Sequence, residues 1–205
     1  MIFPRDTGAG GTWIAASADN RVVCLLNGAF EKHQHRPPYS KSRGIMLLEF
    51  FDFPSAHRFC HNYEFQGMEP FTMIAAEKQQ LLEIRWDGEQ IFFKECPPNE
   101  AHIWSSATLY SKEIREKRES WFAQWLVHDP KFNTDTILQF HRNAGDGDSE
   151  NDLIMNRQSI VQTVSITSIW KGRQAIEMQY HDLIHSHLKK AEIKLEREIL
   201  ESPQP

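Results

Sequence analysis

The side chains best suited to chemistry lie in two short strings, Gly10 to Phe30 and Ser42-Arg43-Gly44. Asn27 stands before Gly28 at the end of an apolar run, where a primary amide can donate to negative charge developing on a substrate oxygen. The same Asn-Gly step also suits a plain turn. Arg43 offers a planar fork that matches a ligand carboxylate, or else a structural ion pair near a helix start. Trp13 and Phe30 lie towards the two ends of the first string as candidate ligand contacts, and Trp13 is equally a core residue by type.

A metal is the second chemistry to weigh. His33 and His35, His57 and His61 with Cys60 between them, and His181, His185 and His187 form three groups. The i,i+4 spacing of His57 with His61, and of His181 with His185, would place two imidazoles on one helix face. No carboxylate or thiolate follows at a signature spacing, so no metal and no resident cofactor is expected. Haem ligation by one of these histidines has no stronger signal. Cys24, inside an apolar run, reads as a buried and inert thiol. Asp146-Gly147-Asp148 lacks the closing Glu of a calcium loop and reads as surface.

These residues must be positioned by strands and short helices. Thr12 to Ser17 and Arg21 to Leu26 read as a hairpin turning at Ala18-Asp19-Asn20, and Val22 to Leu26 is apolar enough to be buried on both faces. Ser42 is the expected cap of a helix through Phe50, and Pro54 ends it or begins a second one through His61. Phe71 to Ala76, Gln80 to Trp86 and Gln90 to Lys94 read as strands, the last two joined at Asp87-Gly88. Ile103 to Tyr110 reads as a strand and loop. Ser111 to His128 is the longest predicted helix, with Ile114, Trp121, Phe122, Trp125 and Leu126 on one face and a Glu113–Lys117 pair on the other. Asn133 or Thr134 caps a helix to Asn143, followed by an acidic loop from Ala144 to Ser149. Ile160 to Trp170 reads as a strand with Thr163, Ser165 and Thr167 on one face, and Ala175 to Tyr180 as its return. Leu188 to Leu200 reads as a charged amphipathic helix ending in a disordered Ser202-Pro203-Gln204-Pro205 tail.

Grouped strands, grouped helices and frequent hairpins give an α+β chain with antiparallel sheets stacked face to face and covered by helices. With 205 residues, 40% hydrophobic and 25% charged, the chain suits one globular domain. The expected division is a domain over 1–187 and a charged helix and tail over 188–205. A net charge of −5 gives no electrostatic reason to expect nucleic acid. No apolar run reaches membrane-spanning length, no signal peptide is evident and the three cysteines are scattered, so a cytoplasmic protein is expected, with no membrane partner.

Gly10-Gly11-Thr12-Trp13, Leu26-Asn27-Gly28, Pro38-Tyr39 and Ser42-Arg43-Gly44 resemble the NRDE family, also called the transport and Golgi organisation 2-like family. Ser105 to Tyr110, Arg118 to Phe122 and Thr163 to Thr167 are similar to it too, so the resemblance runs from Phe3 to Asp182. It implies an N-terminal-nucleophile hydrolase-like fold (αββα) and hydrolysis of a linear amide by a terminal cysteine that follows the initiator Met. It also implies an oxyanion-hole role for Asn27, and a weaker one for Ser106, where related sequences often show Asn beside Ser. Position 2 is Ile2 and the Asn-Arg-Asp-Glu string is missing, so the expectation is an N-terminally truncated and inactive member. The alternative it implies is a non-catalytic binding or trafficking protein that holds haem or a small metabolite in the inter-sheet cleft.

Overall fold

Hairpin after hairpin builds the larger sheet. The computed structural model describes residues 1–128 and 131–196. Strands β1 (Ile14–Ala16), β2 (Arg21–Asn27), β3 (Phe71–Glu77), β4 (Gln80–Trp86) and β5 (Ile91–Cys96) lie side by side in chain order, each antiparallel to its neighbour. Asn20, at φ 68°, makes the first turn, and Asp87 closes the last by accepting from the Glu89 and Gln90 N–H groups. The segment before β1 also joins the sheet: Ile2 and Ala16 exchange N–H···O bonds of 2.8 and 2.9 Å.

Alternation along these strands sends Val23, Phe71, Met73, Ala75, Leu82, Ile84 and Trp86 to one face. That face packs against α1 (Arg43–Glu49) through Met46 and Leu47, against Phe50 in the 3₁₀ turn that follows, and against α2 (Ala56–Asn62) through Ala56 and Phe59. Burying each of the larger side chains stabilises the fold by roughly 1.5–3 kcal/mol. Polar groups beside these helices are matched to partners. Ser55 caps α2 by accepting from Arg58 N, and the buried Glu77 accepts from Ala56 N at 2.9 Å. Arg21 donates to the Phe51 and Phe53 carbonyls and pairs with Asp19.

The second half holds α3 (Lys112–Val127), α4 (Thr134–Asn143), a short hairpin of β6 (Asn156–Arg157) and β7 (Val161–Gln162), and a three-stranded antiparallel sheet. That sheet has the order β10-β9-β8, with β8 (Ser165–Lys171), β9 (Ala175–Asp182) and β10 (His187–Lys194). Asn133 and Thr136 form a capping box at α4, and Ser111 caps α3. On one face of β9, Ile176 and Met178 are buried and Tyr180 meets the Trp13 ring at 6.4 Å. On the other face His181 lies 3.4 Å from Arg142 of α4. No described helix is long and apolar enough to cross a membrane.

Several predicted elements differ. Leu188 to Lys194 is strand rather than helix: Asp182 accepts from the Ile184 and His185 N–H groups and turns the chain, so the segment pairs with β9 along its length. That ladder overrides the charged helical periodicity, and residues 197–205 with their predicted tail lie outside the described residues. Ile103 to Tyr110 contains no strand, because Ser106 and Thr108 bond to the end of β2 instead of a ladder. The strand predicted over Ile160 to Trp170 is broken at Thr163, whose hydroxyl binds the Leu153 carbonyl. In α3 the buried residue is Arg118, whose guanidinium lies 3.6 Å over the Tyr110 ring. Lys117 pairs with Asp146 rather than Glu113.

Candidate functional site

Two glycine backbones touch at the rim of a cavity. Thr12 N–H donates to the Gly44 carbonyl at 3.1 Å. A Cβ on Gly11 would fall 2.7 Å from both Gly44 O and Ile45 N, and one on Gly44 would fall 2.9 Å from Thr12 O. Neither position tolerates a side chain, so the entry to β1 and the start of α1 lie against each other. The cavity beside them measures about 700 Å³ and is lined by Trp13, Asn27 and Arg43, with Tyr39, Ser42 and Glu69 among the rest.

Asn27 reaches this position because the end of β2 is fastened from behind. Its carbonyl accepts from Ser106 Oγ at 2.7 Å and from Thr108 N at 3.3 Å. Gly28 follows at φ 83°, and a Cβ there would meet Thr108 N at 2.9 Å. The Asn27 carboxamide itself has no hydrogen-bond partner among the described residues. Ser106 is buried and its hydroxyl is engaged with the Asn27 backbone, so it positions the loop and offers nothing to a ligand.

Arg43 and Glu69 in the wall neutralise each other, whereas Asp6, also a lining residue, accepts from the Gly8 and Ala9 N–H groups. Arg43 Nη2 lies 2.9 Å from Glu69 Oε2, and its Nη1 donates to the Pro70 carbonyl at 2.9 Å. The other Glu69 oxygen meets His33 Nε2 at 3.0 Å and His35 Nδ1 at 3.4 Å. Burial pushes the Glu69 pKa up, but the His33 hydrogen bond and the Arg43 charge outweigh it and hold the carboxyl below its usual value. Burial lowers the Arg43 pKa, opposed by Glu69. Lys41 is held by both Glu49 oxygens at 2.7 and 2.8 Å. Ser42 begins α1 without a side-chain cap bond, leaving its hydroxyl open to the cavity. The open donors are therefore uncharged.

Of the site residues read from sequence, Trp13, Asn27 and Arg43 converge on the cavity, and Ser106 stands behind Asn27. Arg43 takes the structural ion pair rather than a free carboxylate fork. Phe30 is not a lining residue: it is exposed and packs edge-on against Phe92 at 4.9 Å, with Arg85 5.0 Å from its ring centre. Glu69 was missed, since it sits in an irregular segment with no periodicity, and so was the tethering of His33 and His35 to it.

The remaining histidines are scattered. His57 stacks on Phe93 at 4.3 Å, and His181 lies in β9 with His185 in the turn beyond, so that pair shares no helix face. Among the described residues no group of His, Cys, Asp and Glu is arranged to hold a metal ion. Burial raises the Cys24 thiol to about 11 and the Cys60 thiol to about 12. No cysteine lines the cavity among the described residues.

A model of the family described as Transport and Golgi organisation 2 matches residues 1–190 of the chain. No curated protein matches it.

Proposed function

We propose, from the premise that the chain belongs to the Transport and Golgi organisation 2 family, that the cleft beside Asn27 binds an uncharged carbonyl compound, a linear amide above all. The domain around it is read as N-terminal-nucleophile hydrolase-like. The contact between Trp13 and Tyr180 supports that layering, as do α1 and α2 on one sheet and α4 on the far side of the other. The observation that carries the functional reading is the convergence of Trp13, Asn27 and Arg43 on one cavity of about 700 Å³, a size suited to small molecules. The Asn27 carboxamide donates to the ligand's carbonyl oxygen. Trp13 covers its apolar part, and the Arg43–Glu69 pair stiffens the wall without presenting net charge.

The residues lining the cleft supply no thiol, and the chain's buried thiols are held protonated. In this reading they bind and polarise a carbonyl, and no lining residue is assigned the part of a nucleophile. Calorimetric titration of the full chain with hexanamide, hexanoate and hexylamine tests this, with ammonia release followed in parallel. Saturable hexanamide binding is expected without ammonia release, and Asn27→Ala should weaken it about fivefold, the worth of one hydrogen bond. No saturable heat up to about 10 mM hexanamide, or hexanoate bound more tightly than the amide, would sink the reading.

A further inference from the structure

We infer that strand β10 is a self-association edge that pairs antiparallel with β10 of a second copy of this chain, centred on Ala191. Among the described residues β10 pairs with β9 alone, and all but one of its residues are exposed. The phase of its ladder follows from one bond just beyond it. Leu195 N–H donates to Gln174 O at 2.9 Å in the β9–β10 register, so the odd-numbered residues of β10 face β9 with their backbone groups. The N–H and C=O groups of Leu188, Lys190, Glu192 and Lys194 therefore point outward. The next outward group, Glu196 N–H, is taken by the Ala18 carbonyl at 2.9 Å, which ends the free edge. The midpoint of the remaining edge is Ala191.

Charge then selects the register. A two-fold pairing must set outward groups opposite outward groups. Centred on Ala191, it places Lys190 opposite Glu192 twice and Leu188 opposite Lys194, and the two small Ala191 side chains meet at the axis. Moving the centre by one residue towards Lys190 sets two lysines face to face. Moving it towards Glu192 sets two glutamates face to face and Lys190 against Lys194. Directly opposed like charges destabilise a strand pair and opposite charges support it. A lysine-bearing edge ordinarily resists pairing, but here Glu192 makes the edge complementary to itself.

Sedimentation velocity of the full chain over a concentration series provides the test, with circular dichroism as the folding control. A monomer–dimer equilibrium is expected. Lys190→Glu or Glu192→Lys alone should raise the dimer dissociation constant at least about tenfold, by turning two attractive pairs repulsive. The double reversal should restore it to within about threefold of the starting value. Ala191→Cys should form a disulfide dimer under mild oxidation where the parent chain does not, because a non-hydrogen-bonded pair brings its Cα atoms within disulfide range. A monomer at every concentration, or a dimer indifferent to the single reversals, would overturn the inference.

Discussion

Replacing Gly11 with Ala probes the joint on which the cleft depends. The added Cβ would fall 2.7 Å from Gly44 O and from Ile45 N, with the Gly44 carbonyl carbon closer still. These are backbone atoms at the start of α1, so no side chain can swing aside. Either α1 retreats from the sheet or the entry to β1 does. Retreat of α1 would loosen Met46 and Leu47, both fully buried. Overpacking of this kind costs typically about 1–3 kcal/mol, and rigid neighbours place the cost at about 3 kcal/mol. For a chain of this size that lowers the melting temperature by about 6–12 °C. Gly8→Ala is the control: its Cβ would meet nothing nearer than Asp6 Oδ1 at 3.4 Å, the end of a side chain. Differential scanning calorimetry of the two variants beside the parent decides the matter. A Gly11→Ala protein that melts within about 2 °C of the parent would refute the claim that the two backbones are in obligatory contact.

Two further outcomes follow from buried groups away from the cleft. Arg118→Lys should cost about 2–3 kcal/mol in urea unfolding, because a lysine cannot reproduce the fork that reaches Asn151 O and Asp152 O while covering Tyr110. An unchanged midpoint would show that Arg118 does not hold that loop. Burial raises the Cys24 thiol pKa to about 11, above its ordinary value of 9.0. Below pH 9 its thiol keeps its proton in both the folded and unfolded chain, and above it the unfolded chain loses protons first, so stability is lost as pH rises from 9 towards 11. Cys24→Ala should flatten that alkaline decline in unfolding midpoints between pH 8 and 10.5, and an identical decline would contradict the burial argument.

What the sequence disclosed depended on how local its causes were. The helix capped at Asn133, the helix that starts at Ser111 and the Asp87-Gly88 turn are each settled within a few residues, and each appears where expected. β10 defeated the reading because its charged residues fit a helix as well as an exposed strand, and pairing with β9 decided between them. Ile103 to Tyr110 failed for a similar reason, since its backbone answers to Asn27 far away in the chain. The site was half legible. Asn27, Trp13 and Arg43 could be singled out by type and neighbourhood, whereas Glu69 and its contacts with Arg43, His33 and His35 join segments that carry no periodic signal.

The fastening of Asn27 by Ser106 joins residues 79 apart in the chain. The five strands of the larger sheet, by contrast, pair with their sequence neighbours and are complete by Cys96. During synthesis from the N-terminus, the sheet can therefore assemble before the residue that steadies the cleft has emerged. The cleft beside Asn27 is then a late-maturing feature, completed when Ser105 to Tyr110 docks onto a scaffold already in place. A nascent chain stopped after β5 would carry the sheet and its helices, with the end of β2 still untied.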